Sequence, residues 1–152
     1  MIFLLVFSAV GFVLSTLLHS LLLLDIFTPP QELNILINVC GAFAVYMAIF
    51  ISKRTSSKTK LGESNKTIFR LCPPWIASLT GFLIIYAFAS FLFLLFKKYY
   101  GGSIAIDGKD NSNQPIHIFS GHWMALYALA FSIVYSCKKY ADTLKNSSCE
   151  KS

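Results

Sequence analysis

Carboxylates are scarce in this 152-residue chain: Asp and Glu number 7 against 13 Lys and Arg. None lies within the four long apolar runs 2–24, 33–52, 75–96 and 116–137. A proton-coupled exporter is expected to carry an ionisable carboxylate inside the membrane, so that class is disfavoured. The chain also has no phosphate-binding Gly-rich loop, no Gly-x-Ser-x-Gly and no His-Glu-x-x-His, which removes the commonest nucleotide, serine-hydrolase and metalloprotease signatures. Its 3 histidines include no pair at the His-x-x-x-His spacing that places two ligands one helical turn apart.

Apolar surface is what the chain has in excess. It is 55% hydrophobic with mean hydropathy +0.62, and the apolar residues come in runs rather than stripes, which excludes an ordinary soluble domain of this size. A helix crosses the hydrocarbon core with about 20 apolar residues, and each of the four runs meets that length. The first lacks the basic flank and cleavage site of a secretory signal and reads as a retained helix. The sequence therefore predicts a single all-α membrane domain over residues 1–140, a four-transmembrane-helix antiparallel bundle, followed by a polar cytoplasmic tail over 141–152.

The net charge of +6 sets orientation rather than pointing to nucleic acid. Lys53, Arg54, Lys58, Lys60, Lys66 and Arg70 lie between the second and third runs, and Lys138, Lys139, Lys145 and Lys151 follow the fourth. The opposite side has only Lys97, Lys98 and Lys109. Positive charge favours the cytoplasmic side, so both termini and the middle loop are expected there. Of the 4 cysteines, Cys72, Cys137 and Cys149 then fall on the cytoplasmic side and only Cys40 near the other, so no outward disulfide relay is supported.

Within the runs, the polar residues are few and placed by period. Ser8, Gly11, Ser15 and His19 share one face of the first helix and predict a close-packed seam. Thr28-Pro29-Pro30-Gln31 reads as a capping box opening the second helix. That helix carries Asn34 and Asn38 one turn apart, suited to bonding a neighbouring helix, and a small-residue row at Cys40, Ala44, Ala48 and Ser52. The third is the most aromatic and is expected to face lipid. In the fourth, His122, Ala125, Leu129, Ser132 and Ser136 fall within roughly 80° on a helical projection, beside the small pair Gly121 and Ala125.

Under this topology His19, His117 and His122 all lie in the outer third, together with Asn34, Asn38, Cys40 and Ser120. His19 sits about 7 to 8 Å below the outer boundary at 1.5 Å per residue. Neutral imidazoles at one depth can hold a haem or a metal ion, or hydrogen-bond a quinone carbonyl. The candidate cofactor contacts are His19, His122 and Asn38, with His19, His122 and His117 as the alternative metal set. Hydrogen-bonded packing accounts for the same residues without any ligand.

Cys72-Pro73-Pro74-Trp75 leads into the aromatic third helix, and Phe119-Ser120-Gly121-His122-Trp123-Met124 opens the fourth. In these motifs the second half of the chain resembles a group of small, uncharacterised bacterial integral membrane proteins. The resemblance implies a bacterial inner membrane and no particular activity. The function favoured by the sequence is a small non-enzymatic membrane component, an accessory or assembly partner bound to another membrane protein or to itself within the lipid bilayer. The alternatives are a redox-linked protein binding haem, metal or quinone, and a small-solute channel or carrier along Ser8, Ser15, Ser132 and Ser136.

The orientation is testable with the native cysteines replaced by serine. Ser64→Cys should react with a membrane-impermeant maleimide only after cells are opened, and Ser112→Cys should react in intact spheroplasts. The reverse labelling pattern would overturn the topology.

Overall fold

In the computed structural model the described residues are 1–24, 26–27, 29–56, 72–100 and 114–149. The basic middle loop, residues 101–113, and Thr28 of the expected capping box lie outside them. The described chain is all-helical, with α1 (Ile2–Leu23), α2 (Gln31–Ser56), α3 (Pro74–Tyr100) and α4 (Gln114–Cys149). Three are long and apolar enough to cross a membrane, over Ile2–Leu23, Gln31–Thr55 and Pro74–Phe93.

Prolines set two helix starts. The Pro73 carbonyl accepts from the backbone N–H groups of Ile76 and Ala77, which leaves Pro74 at the first helical position, where a missing N–H costs nothing. In α2 the first bond runs from the Asn34 N–H to the Pro30 carbonyl at 3.2 Å, so the helix starts at Gln31, later than a proline at position 29 suggested. At the far end of α4 the helix continues to Cys149. The apolar run ends at residue 137, and the polar residues beyond it extend a helix that the run has already nucleated.

The helices do not form a symmetric square. α4 packs along α1, α2 and α3 alike, α1 and α2 touch more lightly, and the pairs α1–α3 and α2–α3 share little backbone contact. Between residues 120 and 137 most of α4 is buried, including Trp123, Tyr127, Ala130, Val134 and Cys137. The outer three turn their bulk away from it. Phe3, Val10 and Leu17 of α1, Leu36, Phe43 and Phe50 of α2, and Phe82, Phe88 and Phe93 of α3 are all exposed. Large apolar residues outside and Ser, Ala, Tyr and Trp inside reverse the pattern of a soluble bundle. Because α4 is shielded on three sides, it can carry the polar residues that keep it from matching the others in apolarity.

Chain direction follows from cross-helix neighbours. His19 meets Ser120 and Gly11 meets Tyr127, so α1 is antiparallel to α4. Tyr86 meets Gly121 and Thr80 meets Ser132, so α3 is also antiparallel to it. The pairs Ile37–Tyr127 and Ser52–Cys137 make α2 parallel to α4. Each helix therefore runs opposite to its predecessor in the chain.

Two tyrosines brace this arrangement across glycines. The Tyr127 ring lies between Gly11 of α1 and Gly41 of α2, and its hydroxyl donates to the Ile37 carbonyl at 3.2 Å. A methyl group added at Gly11 would run into Tyr127 Cε1, closer than any van der Waals contact. The seam expected along α1 is real, with Ser8, Ser15 and His19 buried on it, and the α2 row buries Ala44 and Ala48 completely.

Gly11→Ala should cost about 1–3 kcal/mol, because the tyrosine ring is held on its other side and at its hydroxyl. Gly81→Ala, where nothing lies within 4 Å of the added carbon, should gain up to about 1 kcal/mol from helix propensity alone. Unfolding of both variants by SDS titration in mixed micelles measures the difference.

Candidate functional site

Three helices meet at His19. It is 7% exposed, with Nδ1 2.6 Å from Ser120 Oγ on α4 and Nε2 3.1 Å from the Tyr86 hydroxyl on α3. A neutral imidazole has one donor and one acceptor nitrogen, and a hydroxyl can serve either role, so both tautomers satisfy this arrangement. Tyr86 reaches His19 by lying across Gly121, where an added Cβ would be 2.7 Å from Tyr86 Cε1. Its ring meets the imidazole edge-on at 5.8 Å. A single glycine on α4 thus lets an α3 phenol reach an α1 histidine.

Below this node the hydroxyls are consumed locally. Ser8, Ser15 and Ser136 donate to the Leu4, Phe12 and Ser132 carbonyls of their own helices. Ser132 gives its proton to the Ala128 carbonyl, and Thr80, 2.7 Å from Ser132 Oγ, donates to it from α3. All four serines of the expected polar row are buried. Back-bonding of this kind satisfies the hydroxyl without water and lets helices approach closely.

The sequence expectation paired His19 with His122, and the structure gives them different surroundings. Ser120, which faces His19, and His122 are two residues apart on α4, about 200° around the helix. His122 instead lies half-buried between α2 and α3, in edge-on ring contact with Phe91 at 6.5 Å. There α2 and α3 stand apart and leave a groove of about 560 Å³. Its floor is His122, Ala125, Leu126 and Leu129, its α3 wall includes Phe88 and Phe91, and its α2 wall presents Asn38. The His122–Ala125–Leu129 face expected from the period is the floor of this groove, while Ser132 and Ser136 are buried.

Asn38 does not bond a neighbouring helix as expected. Its Nδ2 donates to the Asn34 backbone carbonyl and to Asn34 Oδ1, both at 2.9 Å. The side chain of His117 lies outside the described ones. Among the described residues no group of three or more His, Cys, Asp or Glu is placed to hold a metal, and both nitrogens of His19 already face hydroxyls. Cys40, Cys72 and Cys137 are free thiols.

Tyr86, Phe88, Phe91 and Tyr127 were not singled out by sequence reasoning. Tyr86 had a signal, as the phenol in the middle of an otherwise oily third helix. The phenylalanines had none, since α3 exposes others of the same kind to lipid. Compared with protein-family models, curated protein sequences and solved structures, the chain matches none. Fold and site define the class: an all-helical protein with three helices able to cross a bilayer, packed on a more polar fourth that stays open to a groove between α2 and α3.

The His19 node can be weighed by a thermodynamic cycle. Tyr86→Phe should destabilise the bundle by about 0.5–1.5 kcal/mol. In a His19→Ala background the same change should be nearly silent, because the bond it removes is already gone. Additive costs in SDS unfolding would show that the phenol and imidazole do not act together.

Proposed function

We propose that this chain is a four-span protein of the bacterial inner membrane with both termini cytoplasmic. It works as a small non-enzymatic accessory component that holds an apolar, membrane-dissolved ligand in the groove between α2 and α3. The span assigned to α4 is supported by its 36 residues, about 54 Å of helix against a hydrocarbon core of about 30 Å, and by the three apolar helices around it. The orientation is supported by Lys53 and Arg54 in the last turn of α2 and by Lys138 and Lys139 on the parallel α4 beyond the Ser52–Cys137 contact. The Ser120-Gly121-His122-Trp123-Met124 resemblance supports the location.

The observation that carries the binding role is the groove. Its volume of about 560 Å³ lies within the range of about 300–1,000 Å³ usual for small-molecule sites. A transmembrane helix, about 10 Å wide and 30 Å long, would need about 2,400 Å³. The groove is apolar, aromatic on one wall and polar only at Asn38 and His122, so it suits a molecule with an oily body and one polar end. Among the redox ligands a quinone or its quinol, a flat ring on an oily tail, fits this description. A haem or metal ion shared by His19 and His122 would have to take His19 from both hydroxyls and reach around α4. A solute path along Ser8, Ser15, Ser132 and Ser136 has no support in hydroxyls that are buried and already bonded.

Extraction of the protein from lipid nanodiscs, followed by mass spectrometry, should yield one apolar species in stoichiometric amount beyond bulk phospholipid. Leu129→Trp, which fills the groove floor, should expel it while SDS unfolding shifts by no more than about 1 kcal/mol. Wild-type protein that retains nothing, and binds no added quinone-type lipid, would overturn the reading.

A further inference from the structure

We propose that the groove selects ligands whose ring carries a hydroxyl, a quinol- or phenol-type headgroup that donates a hydrogen bond to Asn38. This rests on the groove being a ligand site and adds which end of a hydrogen bond it offers. The amide nitrogen of Asn38 has two protons, and two acceptors face it: the backbone carbonyl of Asn34 and Asn34 Oδ1, each at 2.9 Å. The first partner fixes the amide orientation, because a flipped amide would set oxygen against a carbonyl oxygen that cannot donate. With its donors committed along its own helix, Asn38 has only Oδ1 left to present to the groove it lines. That atom can accept and cannot donate.

The consequence is a choice between chemical states of otherwise similar molecules. A hydroxyl on a ring gives Oδ1 its proton. A quinone oxygen or a methyl ether brings a second lone pair to the same atom, so the bond at Asn38 is lost whatever His122 contributes elsewhere on the ring. The remaining walls accept a flat ring: Phe88 and Phe91 rise on the α3 side, His122 stands edge-on to Phe91, and Leu126 and Leu129 pack beneath. The Asn34–Asn38 pair therefore acts as a preset acceptor, with Asn34 positioning Asn38 rather than touching the ligand. Binding involves no electron transfer.

The test uses the full-length protein in nanodiscs under anaerobic conditions with three probes on the same short isoprenoid tail: a benzoquinol, its quinone and its dimethyl ether. Retention on immobilised protein is compared with protein-free nanodiscs. The quinol should be held about 10-fold more tightly than the other two, the worth of one neutral hydrogen bond. In Asn38→Leu the three should be held equally. Equal or stronger retention of the quinone or the ether by wild-type protein overturns the acceptor assignment and leaves the binding role standing. Retention of no probe overturns both, as does a co-purifying membrane protein that keeps every probe out. Because the decisive comparison varies the ligand on wild-type protein, the result does not depend on a variant folding.

Discussion

Hydrocarbon cannot hydrogen-bond, and the architecture follows from that constraint. Every polar group in the apolar segments needs a partner inside the protein, so the helix richest in such groups is the one the others surround. α4 brings Ser120, Tyr127, Ser132 and Ser136 into the interior, where each finds a carbonyl, a hydroxyl or an imidazole. α1, α2 and α3 meet it largely with small or polar residues and keep most of their Leu, Val and Phe for the outside. The segment least able to face lipid thus organises the fold.

Close approach makes those bonds attainable. Phenols are long, and each of the two that cross between helices does so over a glycine: Tyr127 against Gly11 and Gly41, Tyr86 against Gly121. With no side chain in the way, a ring can lie flat on a neighbouring helix and deliver its hydroxyl to a third element. Dispersion along the ring and one hydrogen bond at its tip replace the hydrophobic drive that water would supply to a soluble bundle. Small residues and tyrosines in this chain are two halves of one device.

The same shielding is incomplete between α2 and α3, where the larger groove lies, and that is where binding is proposed. Three helices cover most of α4, and the gap between α2 and α3 holds His122, Ala125, Leu126 and Leu129 on its floor. A ligand entering there would come from within the bilayer, already free of water, so its affinity would rest on shape and on the polar contacts at Asn38 and His122. His19, at a similar distance along the bundle, is tied into the Ser120–Tyr86 node and serves cohesion.

Much of this was legible in the order of residues. Runs of about 20 apolar residues mark helices wherever they pack, the 3.6 period puts Ser8, Gly11, Ser15 and His19 on one face in any bundle, and Pro74 starts a helix by lacking an N–H. These are local properties of a chain in an apolar solvent, and they settled helix number and the α1 seam. Sequence could not say which helix is central, because that depends on which surfaces fit together. It could not separate His19 from His122, since depth follows from position in the chain while direction around the bundle does not. Nor could it tell that Asn38 turns back to Asn34, or that Phe88 and Phe91 line a groove while Phe82 and Phe93 face outward. Such choices arise only when α2 and α3 dock on α4 without meeting each other, because the gap between them is a property of three packed surfaces and of no single helix.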